Sequence, residues 1–195
     1  MRQSSITRKT NETNISLSLN IDGTGKHNIS TGVGFFDHML TQIAVHGLMD
    51  IDLQAEGDLH IDAHHTIEDC GIVFGEAIGQ VLGDKRGIRR MAEASVPMDD
   101  ALANVVLDLS GRSYSVIQIP WVSSSVGSIP TSLIEHFFET VAVAAKMNLH
   151  IRVFYGRDNH HIAEATFKAF ARALDAVVEV DERRMGSVPS SKGTI

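Results

Sequence analysis

The 195-residue sequence has a single cysteine, Cys70, so no disulfide can close within the chain; this suits a reducing compartment. Cys70 is expected to be a small core residue on a helix. No apolar run approaches the roughly 18 residues that cross a bilayer, and "MRQSSITRKTNETNISLSLN" at the N-terminus has no unbroken apolar stretch of the signal-peptide kind. We therefore expect a soluble, cytoplasmic chain. Basic residues are outnumbered, 17 Lys and Arg against 24 Asp and Glu, for a net charge of -7. A surface of that sign disfavours the phosphate backbone of nucleic acid, and no nucleic-acid-binding signature is present. "DGTGK" lacks the GxxxxGK[ST] spacing of a phosphate-binding loop and reads as a turn.

Histidine, by contrast, is abundant: ten residues, four of them in two HHxxE motifs, "HHTIE" at His64 to Glu68 and "HHIAE" at His160 to Glu164. Ten His and ten Glu placed at random would give roughly 0.03 such matches per chain, so two matches require a cause. A duplication supplies one. "SSITRKT" and "TNISLSLNID" alternate with the period of strands, "FFDHMLTQIAVHGL" is helical, "MDIDLQAEGDLHID" alternates again, and "TIEDCGIVFGEAIGQVLGD" is a helix closed by Gly83. Strands in "SVPMDDALANVVLDLSGRSYSVIQI" then precede a helix, a strand, a turn and a helix in "TSLIEHFFETVAVAAKM", "NLHIRVFYG", "RDN" and "HHIAEATFKAFARALDAVVEV". His38 aligns with His136, Asp37 with Glu135, His64 and His65 with His160 and His161, and Glu68 with Glu164. The expected organisation is a repeat over residues 1–94 and 95–185, followed by a polar tail, 186–195.

On a helix the first His and the Glu of HHxxE share a face, while the second His is angled aside. Imidazoles with a carboxylate and no thiolate suit Mn, Fe, Zn, Co or Ni. The alignment gives two equivalent quartets, His38 with His64, His65 and Glu68, and His136 with His160, His161 and Glu164. Eight ligands can build two four-ligand sites with positions left open for substrate. His27, His46, His60 and His150 are read as surface or strand residues. The segments "KRGIRR" and "SGRSY" and the tail supply Arg90, Arg112, Ser190, Ser191 and Lys192, which either hold a phosphate or are simply solvated.

"FFDHML", "AHHTIEDCGIVFGEA", "EHFFE" and "NHHIAEATFKAFARAL" resemble imidazoleglycerol-phosphate dehydratases of histidine biosynthesis, from about Thr7 to Lys192. The resemblance implies an α+β fold, internally duplicated, each half a four-stranded sheet packed with two helices, of the ribosomal protein S5 domain 2-like type. It implies a 24-subunit homo-oligomer built from trimers, with two manganese ions in each active site and sites formed between subunits. One metal would take His38, His65, His160 and Glu164, the other His64, Glu68, His136 and His161. Glu12 would be the acid-base group, and Arg90, Arg112, Ser190 and Lys192 would bind the substrate phosphate. The implied reaction turns imidazole glycerol phosphate into imidazole acetol phosphate and water through an imidazolate and a diazafulvene. A dimetal phosphate-ester hydrolase and a metal-storage cage are the alternatives; the Glu-x-x-His order of ferritin-like bundles is not the order found here.

Overall fold

The structure, a computed structural model, describes residues 1–184 and 186–195. Its elements come in two runs of the same kind. The first is β1 (Gln3–Lys9), β2 (Thr13–Asn20), β3 (His27–Ser30), α1 (Gly34–Gly47), β4 (Asp50–Gly57) and α2 (His64–Leu82). The second is β5 (Met91–Met98), β6 (Ala101–Asp108), β7 (Tyr114–Gln118), a hairpin of β8 (Ser125–Val126) and β9 (Ile129–Pro130), α3 (Thr131–Ala144), β10 (Asn148–Tyr155) and α4 (Asn159–Val178). The sheet orders are β1-β2-β4-β3 and β5-β6-β10-β7, each mixed, with one parallel pair at the edge bridged by a helix.

Each sheet buries one face. Ile15, Leu17 and Leu19 of β2 point inward while Asn14, Ser16 and Ser18 point out, and Leu149, Ile151 and Val153 of β10 alternate with His150, Arg152 and Phe154. The helices lie between the sheets and are exchanged across the halves: α2 lies on β1 and β2 but packs against α3, and α4 lies on β5 and β6 but packs against α1. Phe36, Phe137, Phe138, Phe167 and Phe170 interlock there, with ring centroids 4.7 to 5.6 Å apart. Cys70 is fully buried in this layer, where desolvation pushes its thiol far up.

The α2–α3 contact depends on Gly75, where a Cβ would stand 2.6 Å from Ala144 Cβ and 2.8 Å from the Val141 carbonyl oxygen. Ala in a helix normally gains up to about 1 kcal/mol over Gly, but overpacking a closed contact costs about 1–3 kcal/mol. Gly75→Ala should therefore lower the thermal midpoint, whereas Gly79→Ala, with nothing within 4 Å of the added carbon, should raise it. Calorimetry of the two variants checks the opposite signs.

Candidate metal centre

The exchanged helices decide which histidines meet. His38 on α1 meets His160 and Glu164 on α4, and His136 on α3 meets His64 and Glu68 on α2; in each trio one donor atom per residue lies within 4.8 Å of the others. Both trios thus draw on both halves. Glu164 Oε2 lies 3.4 Å from His38 Nε2 and 3.2 Å from His160 Nε2, and Glu68 Oε1 lies 3.1 Å from His136 Nε2. The His64 and His136 rings are 5.1 Å apart and those of His38 and His160 5.7 Å. Two ligands each about 2.0–2.2 Å from one cation stand roughly 3.0–3.5 Å apart at octahedral to tetrahedral angles, so these three Glu–His separations are those of ligands to a common divalent ion, which each trio could hold.

The helix starts aim the side chains. Asp62 accepts from the His64 backbone N–H at 2.7 Å, just ahead of the N-cap Ala63, and Asp158, the N-cap of α4, accepts from that of His160 at 2.8 Å, so an acidic residue two positions before each HHxxE motif holds the backbone of its first His. α2 starts at His64, with Ala63 at its N-cap, rather than at Thr66, where the apolar periodicity alone begins it. Asp37 accepts from the Thr31 backbone and hydroxyl, and Glu135 from Trp121 Nε1 at 2.7 Å, each anchoring the residue beside a histidine of a trio. Lys168 Nζ lies 2.7 Å from Glu164 Oε1, which leaves the other carboxylate oxygen to the histidines. Burial opposes ionisation of Glu164, but Lys168 and His38 together outweigh it and the carboxyl lies below its ordinary range. The Glu164, Lys168 spacing of four is a helix-pair signal present in the sequence. Ile72 stands at that position in the other motif.

His65 and His161 are in neither trio. His65 Nδ1 donates to Asp58 at 3.0 Å while its Nε2 faces Glu12 at 3.7 Å; His161 Nδ1 donates to Asp100 while its Nε2 faces Asp99 at 3.5 Å. The hydrogen bonds that Asp58 and Asp100 accept raise both imidazole pKa values above 6.5, and Asp100 is held at about 2 by His161 and by the Arg157 backbone N–H. Asp58 and Asp100 come from different places in the two runs, a loop after β4 and the β5–β6 turn, so no repeat in the sequence reveals them.

Glu12 is exposed on the β1–β2 turn. Arg90 is held in a two-point pair by Asp108, at 2.7 and 3.1 Å, and donates to the Pro189 carbonyl at 2.7 Å. Exposed Arg112 follows Gly111, which abuts Ile195 at the chain end, so the tail with Ser190, Ser191 and Lys192 runs between the two arginines. These five residues line neither cavity beside the trios. One cavity, of ≈ 790 Å³, is bordered by His64, His136, Glu135 and Glu139; the other, of ≈ 380 Å³, by Phe35 and His160.

No helix among the described residues is long and apolar enough to cross a membrane. Residues 31–174 match the family model described as Imidazoleglycerol-phosphate dehydratase. The chain is 53% identical over 195 residues to the enzyme of that name from Cereibacter sphaeroides, covering 100% of each, and 55% identical over 194 residues to that from Acetivibrio thermocellus, covering 100% of this chain and 99% of the relative. Among solved structures, the dehydratase of Staphylococcus aureus superposes with a TM-score of 0.83 at 35% identity, covering 92% of this chain and 99% of that one. That of Pyrococcus furiosus gives 0.84 at 32%, covering 97% and 100%. With the duplicated sheets, the paired trios and this similarity from end to end, the chain belongs to the imidazoleglycerol-phosphate dehydratase family.

Proposed function

We propose that the chain removes water from imidazole glycerol phosphate to give imidazole acetol phosphate, a step in making histidine, with two manganese ions in each site. The observation that carries this is the pair of His-His-Glu trios, each partly open to solvent and each built across both halves. Cations held there supply Lewis acidity toward the two ring nitrogens of an imidazole substrate. The remaining tasks fall to the protein. Glu12, beside His65, is placed to take the side-chain proton or to hand one to the departing hydroxyl. Arg90, Arg112, Ser190, Ser191 and Lys192 hold the phosphate and so orient the reacting carbons.

His65 and His161 bear on assembly. Each has Nδ1 fixed by a carboxylate and lies partly exposed outside the trios of its own chain, with 32% and 27% of the side chain accessible. A carboxylate bonded to one ring nitrogen in this way orients the other nitrogen of a metal-binding imidazole. We read His65 as completing the His38, His160, Glu164 trio and His161 as completing the His64, Glu68, His136 trio, each in a neighbouring subunit of the 24-subunit particle. The tail, which lines neither cavity beside the trios of its own chain, fits the same shared arrangement. The repeat over 1–94 and 95–185 then gives each subunit two related sets of ligands to offer, and 186–195 gives it a phosphate-binding strap.

A coupled assay tests the reading: after chelation the protein should make no keto product, and added manganese should restore it. Release of inorganic phosphate without a ketone would point to a hydrolase instead. The pH dependence has a definite sign. Metal binding requires neutral imidazole, so the raised pKa values of His65 and His161 should make manganese affinity begin to fall at a pH above 6.5 as acid is added. In the metal-free chain the same pairs act oppositely: their contribution to folding is full below 6.5 and is lost as pH rises through the raised values. Asp100→Asn should move the onset of metal loss to lower pH and weaken binding about 10–100-fold, measured by manganese titration across pH.

A further inference from the structure

Asp69 follows the metal-trio residue Glu68 on α2 and is buried, 6% exposed. Its two oxygens are both spent on the first hairpin: Thr13 Oγ1 donates to Oδ2 at 2.5 Å and Arg8 Nε to Oδ1 at 2.8 Å. Thr13 is the end of the turn that carries Glu12. The Thr10 hydroxyl accepts from the backbone N–H groups of Glu12, at 3.1 Å, and Thr13, at 3.0 Å, and the Glu12 carbonyl accepts from Asp58, the residue that holds His65. One buried carboxylate therefore ties the strand ends around Glu12 to the helix that bears His64, His65 and Glu68.

The second half shows that packing does not demand these polar groups. Strand register and the motif offset place Val96, Ala101 and Ala165 where Arg8, Thr13 and Asp69 stand, so at these three positions the second hairpin and its helix carry apolar side chains; their polar contacts lie elsewhere, from His161 to Asp100 and from Lys168 to Met98. An ion pair such as this one, with Asp69 buried and Arg8 36% accessible, is commonly no more stabilising than well-packed apolar residues, so its presence in one half only points to a role other than stability. That half is the one whose turn bears Glu12.

We propose that Asp69 is a positioning residue for the dehydration, holding Glu12 in register with the metal ligands through Thr13 and Arg8. This rests on the acid-base reading of Glu12 given above. A misplacement near 1 Å of such a group costs up to about 100-fold in rate, so Thr13→Val should lower kcat by about 10- to 100-fold with KM and manganese content nearly unchanged. In a Glu12→Gln background the same Thr13→Val change should have no further effect, because the group being positioned is gone.

The triple variant Arg8→Val, Thr13→Ala, Asp69→Ala, which copies the second half, removes the tether without leaving a buried polar group unpaired. It should melt no lower than the parent, assemble to the same size and bind the same manganese, yet show the reduced kcat. An equal kcat loss from Thr13→Val with and without Glu12, or a triple variant with parental kcat, overturns the positioning role. A Glu12→Gln protein with parental kcat overturns the reading of Glu12 itself, a separate result seen before either tether variant is made.

Discussion

Glu68→Gln and Glu164→Gln should each lower kcat/KM by well over about 100-fold, more than the 10- to 100-fold typical of a group that only orients a metal ligand. Each carboxylate is the only anion of its trio, and the neutral amide both loses the charge and presents an NH2 to two imidazoles. If the two cations act on one ring, losing either ruins the joint chemistry, so the double variant should be scarcely worse than the single ones. The chains should differ in a second respect. Glu164 also pairs with Lys168, whose side chain is only 16% accessible, so Glu164→Gln leaves a largely buried ammonium without its counterion. It should therefore lower the thermal midpoint more than Glu68→Gln, whose carboxylate is 37% accessible. Metal analysis should find about half the parental manganese in each single variant.

Deleting residues 186–195 should reduce kcat/KM on the order of 100-fold while leaving the melting transition almost unchanged. The tail adds little to the core: of its residues only Pro189 is buried. Arg90 would lose the Pro189 carbonyl but keep both bonds to Asp108, so the base of β5 stays in place. Loss of Ser190, Ser191 and Lys192 should instead appear as weak phosphate recognition, and inorganic phosphate should inhibit the parent protein but barely affect the shortened one. An unaltered kcat/KM would remove the tail from the substrate site.

Much of this was legible in the sequence because two periodicities were unmixed. Half-buried strands such as β2 and β10 alternate strictly, and long helices such as α2 and α4 bury a continuous apolar face. The in-register HHxxE motifs and the alignment of His38 with His136 marked the helices whose His and Glu residues gather in the two trios. Three features were hidden for identifiable reasons. The β8–β9 hairpin has two-residue strands in a Ser-rich stretch with no alternation to detect. The exchange of α1 and α3 between halves is a long-range packing outcome, written in glycines such as Gly75 whose partner is unknown until the helices meet. The carboxylates behind His65 and His161 come from unlike positions in the two runs and leave no repeat.

The most direct test of a site shared between subunits is a mixing assay. His65→Ala and Glu164→Gln proteins, each inactive alone, are dissociated, combined and reassembled. A Glu164 trio from the first protein and His65 from the second can then make an unaltered site, so the mixture should regain a substantial fraction of parental dehydratase activity and manganese. If the mixture stays as inactive as its components while the parent protein, treated identically, recovers, His65 acts within its own chain and the shared centre is wrong.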